Sequence, residues 1–337
     1  MIEAGLIISK AKDRSGGVLD SFACFLPGEA MLHLRGSKVP EFLQGQLTCD
    51  TRKLGPERAL MGALCNVKGR VLSDLTVLYV SDAHLILRLR RSVAATIAKT
   101  LERYAQFSRI SVELAAEEHS ILGLGGRDFA AECAIDGDRS DAADSASNTV
   151  SPGSLPVTLR DDALLLQRGP GHGEVIAIDD APARALASQG TASGSQADVD
   201  PVTSWEAATL RTGHYALELE DLECFTPQAL NYDLSGLVAF DKGCYTGQEI
   251  VARLHYKGRS KKRLQIFEGP ETLGPIARDT SLQGESGEIV GSCLRRASYG
   301  NGRALIAGEV HSDHLNQTLF LPGGERLDAI TPPYLSS

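Results

Sequence analysis

Residues Phe240–Leu264 read FDKGCYTGQEIVARLHYKGRSKKRL. Gly243 and Gly247 permit a tight backbone path on either side of Cys244 and Tyr245. Thr246 and Glu249 have the T-x-x-E spacing of a capping box, just ahead of the apolar pair Ile250 and Val251. That spacing predicts a helix starting at Thr246, with Cys244 immediately before it. A helix N-terminus carries partial positive charge and lowers the pKa of a nearby thiol, and Lys242 and Arg253 add cations on either side. A thiolate so placed is a nucleophile and a ligand for soft metals. An isolated cysteine is more often a small buried hydrophobe. The glycines, the cations and the cap together assign this one a function.

Downstream of about Lys261 the character changes. LQIFEG, GEIVGSCL, RALIAGEV and QTLFLP are short strand candidates separated by Gly, Asn and Asp, which reads as a small β-barrel over 261–337. Upstream, Ser37 has the features of a helix N-cap, with Pro40 in the first turn before EFLQGQL. Arg70–Val80 alternates as a strand, and a turn at Ser81–Ala83 leads into a second strand, HLILRL. Ser92 then caps SVAATIAKTLERYAQF, whose Val93, Ile97, Leu101 and Tyr104 form one apolar stripe. ISVEL and SILGLGG follow as strands. The order β-β-α-β-β predicts an α+β domain with an antiparallel sheet over 1–260, in which 61–200 forms a subdomain. The run VTLRDDALLLQRGPGHGEVIAI reads as two further strands. Around it, 136–151 and 188–200 are polar, small-residue-rich insertions that cannot offset their own ordering entropy.

Composition excludes several classes. The 337 residues are 42% hydrophobic and 23% charged, an ordinary globular balance. The net charge of -9 opposes nucleic acid at long range. No stretch approaches the ~20 apolar residues of a membrane span, and the N-terminus lacks a signal-peptide core, so a cytoplasmic chain is expected. The seven cysteines are scattered and never spaced C-x-x-C, which argues against a disulfide framework and a zinc site. The eight histidines form no ligand pattern, so no intrinsic metal is expected. GLGGRD at 123–128 and GPGHG at 169–173 lack the spacing of phosphate-binding loops and read as turns. Lys257, Arg259, Lys261, Lys262 and Arg263 form a basic cluster suited to tRNA or another phosphate. Its plainer reading is a solvated loop.

KGCYTGQE, Lys242 to Glu249, resembles the signature of the YgfZ family of folate-binding proteins. That family is similar to the aminomethyltransferase (T-protein) of the glycine cleavage system and to mitochondrial iron–sulfur assembly factors. FLQGQLTCD at 42–50, ALCNVKGRVLSDLTV at 63–77 and FTPQALNYD at 225–233 resemble further family segments. The resemblance implies an aminomethyltransferase-like core of ferredoxin-like β-β-α-β units, followed by the barrel. It implies a site for tetrahydrofolate or a derivative, with Cys244 as the working residue and Asn66, Asp74, Arg211, Asn231, Lys242, Tyr245, Gln248 and Arg253 around the ligand. The implied function is accessory: assembly or repair of iron–sulfur enzymes, including those that thiolate tRNA. The rivals are a folate-dependent aminomethyl transferase and a tRNA-binding module. One departure bears on the ligand. The segment where the T-protein carries its pterin-binding Glu reads LRTGHY here (Leu210–Tyr215), with Arg211 or Thr212 in its place. Arginine cannot accept the pterin's N–H groups, so weak folate binding and no aminomethyl transfer are expected.

Overall fold

The computed structural model describes residues 22–115, 121–126, 153–160, 163–169, 171–178, 200–271, 274–300 and 302–335. The insertion at 136–151, nearly all of that at 188–200, and Cys133 lie outside these.

The chain opens with β1 (Phe22–Phe25), β2 (Glu29–Arg35) and α1 (Val39–Gln44). Next come β3 (Arg58–Cys65), β4 (Val71–Ser81), β5 (His84–Arg90), α2 (Arg91–Ala105), β6 (Ser111–Leu114) and β7 (Ile121–Gly125). β8 (Ser154–Arg160), β9 (Ala163–Gly169) and β10 (His172–Ala177) follow. The run between the insertions is therefore three strands rather than two, with β8 antiparallel to β9 and β9 to β10. These ten strands form one antiparallel sheet in the order β1-β7-β10-β9-β8-β3-β4-β5-β2-β6. The α+β class holds. Val93, Ile97 and Leu101 of α2 are buried against Leu32, Leu85 and Leu87 of the sheet, each contributing about 2 kcal/mol of burial. Tyr104 is half exposed rather than part of that stripe.

Two helix caps differ from expectation. α1 begins after Lys38 and α2 after Arg90, neither with a side-chain cap. The Ser92 hydroxyl instead donates to Glu218, so a tertiary carboxylate has outcompeted the local backbone for it.

The sheet is curled, and buried charge closes the curl. Arg88 on β5 reaches Glu174 on β10 at 2.5 Å, although four strands stand between them in the sheet order. Arg88 also pairs with Glu29 (3.1 Å), Arg168 with Glu174 (2.7 Å), and Arg90 with Glu29 (3.0 Å) and Glu206 (2.7 Å).

After α3 (Pro201–Arg211) and α4 (Gln248–Lys257) comes a closed barrel. It is built from β11 (Lys262–Pro270), β12 (Ser281–Gln283), β13 (Ile289–Gly300), β14 (Arg303–His311), β15 (Leu319–Phe320) and β16 (Arg326–Ile330). Leu264, Ile266, Leu294 and Leu305 of the barrel share a core with Cys65, Val71, Leu230 and Tyr232. Among the described residues no helix is long and apolar enough to cross a membrane.

Candidate functional site

The loop carrying Cys244 is held from two sides. On one side lies the turn after α1. Lys242 Nζ donates to the carbonyls of Gln44 (2.8 Å), Leu47 (2.6 Å) and Cys49 (2.8 Å). Thr246 N–H donates to Gly45 O (3.3 Å), and Ala239 N–H to Thr48 O (3.0 Å). An ammonium has three protons, so Lys242 is fully occupied as a clamp and has none left for the thiol. It also lies 5.1 Å from the centre of the Tyr245 ring, within cation–π range. Burial pushes its pKa down to about 8.

On the other side lies the turn between β3 and β4. Asn66 Oδ1 accepts from the N–H groups of Lys68 (2.9 Å) and Arg70 (3.0 Å), and Gly69 N–H closes the turn on Asn66 O (2.9 Å). Gly247 stacks against this turn at φ +82°, where a Cβ would lie 2.3 Å from Asn66 O. The left-handed Gly247 sets the start of α4 at Gln248, so Thr246 stands outside the helix and the expected capping box does not form. Gln248 Oε1 instead accepts from Tyr245 N–H (3.3 Å). Cys244 therefore precedes the helix by more than a residue, and the helix-end field falls off over about one turn.

What remains distinctive about Cys244 is access. It is exposed, and a Cβ at Gly243 would meet nothing within 4 Å. Cys24, Cys49, Cys65 and Cys293 are buried, and burial pushes their thiols up to about 12. Among the described residues Cys224 is the other exposed thiol, but its Sγ lies 3.6 Å from both Glu220 O and Leu222 O. Its single S–H is engaged by these carbonyls. Limiting alkylation near pH 7, read by mass spectrometry, should accordingly label Cys244 first. Prior labelling of any other cysteine would remove the argument.

The remaining predicted residues separate into groups. Asn231 is buried, with its Nδ2 on Leu264 O (2.8 Å) and its Oδ1 accepting from Arg263 (3.1 Å). It ties core to barrel. Arg211 pairs with Glu268 on the barrel (3.6 Å). Arg253 is exposed on α4. Within the basic cluster, Arg263 makes a bidentate pair with Asp233 (2.9 Å for both bonds) and Lys262 pairs with Glu309 (3.1 Å). Lys257, Arg259 and Lys261 are exposed.

Asp74 is where the sequence reading missed a partner. Its Oδ1 accepts from Leu217 N–H (2.8 Å) and its Oδ2 from His214 Nε2 (2.9 Å). Burial pushes this carboxyl up; the His214 hydrogen bond and charge, the Leu217 N–H and the Arg88 charge outweigh it and hold the group below the usual range. His214 lies in the LRTGHY segment, three residues past Arg211. Nothing in its spacing marks it, because its partner is 140 residues away.

No family model matches the chain. It is 27% identical over 293 residues to the tRNA-modifying protein YgfZ of Shigella sonnei strain Ss046, covering 86% of each chain. It is 29% identical over 293 residues to the tRNA-modifying protein YgfZ of Sodalis glossinidius, covering 86% of this chain and 85% of that protein. Among solved structures, the glycine cleavage system aminomethyltransferase T of Bartonella henselae superposes with a TM-score of 0.66 at 19% identity, covering 92% of this chain and 85% of that one. Along most of its length the chain is thus similar in sequence to YgfZ proteins, and it shares the aminomethyltransferase fold.

Proposed function

We propose that this chain is a folate-binding accessory protein that supports iron–sulfur enzymes, including those that thiolate tRNA, through the thiol of Cys244. The observation that carries the reading is the exposed Cys244 on a loop clamped by Lys242 and Gly247. A rigid, accessible sulfur is suited to ligating a soft metal or exchanging with a partner's thiol. The names of the relatives support a link to tRNA modification, and the aminomethyltransferase fold supports a folate ligand. The polar groups near Asp74 fit such a ligand: the Tyr232 hydroxyl is buried without a partner among the described residues. Arg253 and Lys257 are exposed cations suited to an anionic folate tail. Aminomethyl transfer is the weaker reading, because Leu210–Tyr215 carries Arg211 and Thr212 where the T-protein carries its pterin-binding Glu.

Calorimetry with tetrahydrofolate should give saturable heat with a Kd in the micromolar range or weaker, about 8 kcal/mol of binding at most. In cells, Cys244→Ser should abolish support of tRNA thiolation while leaving the melting temperature unchanged. Absence of any binding at millimolar tetrahydrofolate would remove the folate half of the reading. Full function in Cys244→Ser would remove the thiol half.

A further inference from the structure

The basic segment after α4 is held in place by both the helix and the barrel. Gly258 N–H closes on Leu254 O (3.2 Å), and the Ser260 hydroxyl donates to Lys262 O (2.6 Å). From the barrel side, Ser312 N–H donates to Lys261 O (2.9 Å) and its hydroxyl to Ser260 O (2.6 Å). The cations on this fixed backbone divide in two. Lys262 and Arg263 are taken by Glu309 and Asp233. Arg253, Lys257, Arg259 and Lys261 are exposed, and none pairs with a carboxylate of a described residue. A cation in the last turn of a helix offsets the helix dipole, which accounts for Lys257 but not for Arg253, Arg259 or Lys261. From Arg253 to Arg263 there is no Asp or Glu, on a chain of net charge -9.

An aromatic cluster adjoins these cations. The Phe240 and His255 rings stack with centroids 3.7 Å apart and planes at 17°. Tyr256 stands edge-on to both, 6.1 Å from Phe240 and 4.8 Å from His255, and is 68% exposed. Arg253, Tyr256 and Lys257 follow the i, i+3, i+4 spacing and share the helix face away from buried Val251. An open ring braced by other rings and flanked by unpaired cations matches an unpaired nucleotide, whose base stacks while its phosphate meets the charge. An acidic peptide would use the cations and leave the ring idle. A duplex keeps its bases stacked on one another.

We propose that α4 and the segment after it bind single-stranded nucleic acid, with a base stacked on Tyr256 and phosphates on Arg253, Lys257, Arg259 and Lys261. The inference goes beyond the proposed function, which requires no contact with a nucleic acid.

The test is fluorescence anisotropy of the full-length protein with a labelled, unpaired RNA of about 12 nucleotides, and with DNA of the same sequence. The unpaired strand should bind more tightly than the same strand annealed to its complement. Raising the salt about fourfold should weaken binding about 50-fold, from a slope of about -0.7 per phosphate over these four cations. Tyr256→Ala should lower affinity about fivefold or more with the salt slope unchanged. Tyr256→Phe should bind as wild type, which separates loss of stacking from loss of folding. Arg259→Gln with Lys261→Gln should reduce the salt slope by about half. Equal affinity for the duplex, or no loss in Tyr256→Ala, would make the surface a general polyanion site and overturn the inference. Poly-glutamate of equal charge binding as tightly as the RNA would point to an acidic protein segment and overturn it as well. So would failure of both RNA and DNA to bind at about 50 mM salt. No folate is present in these titrations, so each of these outcomes leaves the folate and thiol readings standing.

Discussion

Glu174→Gln should lower the unfolding free energy by about 4 kcal/mol, on the scale of a buried ion pair broken on one side. Glu174 is fully buried and takes the guanidinium groups of both Arg88 (2.5 Å) and Arg168 (2.7 Å). The isosteric amide keeps the shape and removes the charge, leaving buried Arg168 beside buried Arg88 with Glu29 alone to offset them. The effect should depend on pH with a definite sign. Burial pushes the Glu174 carboxyl up, but the charges of Arg168 and Arg88 and their hydrogen bonds push it down further, so its folded value is lowered. A lowered carboxyl contributes stability that is complete above its unfolded value of about 4.3 and is lost as pH falls through its folded value. Denaturant melts of both proteins should therefore diverge most at neutral pH and converge in acid. A difference under 1 kcal/mol at pH 7 would show that the sheet's curl does not depend on this charge.

Gly247→Ala should cost about 3 kcal/mol and act on the site as well as on stability. An alanine at φ +82° carries about 1 kcal/mol of left-handed strain. Its Cβ would also stand 2.3 Å from the Asn66 carbonyl, a backbone atom that cannot rotate away. The loop must then lift from the β3–β4 turn or the turn must open. Either way Cys244 loses its fixed position, and its lead over Cys224 in limiting alkylation should shrink. Melting curves together with the labelling order check this. A melting temperature within a degree of wild type would mean that the loop and turn are not in close contact.

The two substitutions bear on what could be read locally. The segment Lys242–Glu249 was legible because glycines at fixed offsets around a cysteine are a local demand of the backbone. The capping box fails to form for a related reason. T-x-x-E states what a helix start would use if the chain were free to begin there, whereas Gly247 must approach the Asn66 carbonyl and moves the start to Gln248. Adjacency in sequence makes Lys242 a neighbour that lowers the thiol's pKa; three carbonyls of a turn some 195 residues earlier take it instead. In the barrel, β12 and β16 were not read. Each is five residues or fewer, too short for its alternation to register. The helix α3 was likewise not read, and the acidic, small-residue stretch before it gave no start signal beyond Asp200.

The sequence by itself determined the α+β class, the antiparallel order of the β4–α2–β6 region, the β-barrel that follows, and Cys244 as the residue to watch. Each of these rests on periodicity, turn residues or a contiguous motif, all of which act within a few residues along the chain. Tertiary structure alone decided which side chains meet. Curling the sheet brings Glu174 to Arg88 across four intervening strands, and the segment after α3 returns to set His214 on Asp74. Those pairings are electrostatic and hydrogen-bonded contacts between residues 86 and 140 positions apart. Their energies depend on burial and on angles that exist only once the hydrophobic cores have closed, so no local pattern in the sequence encodes them.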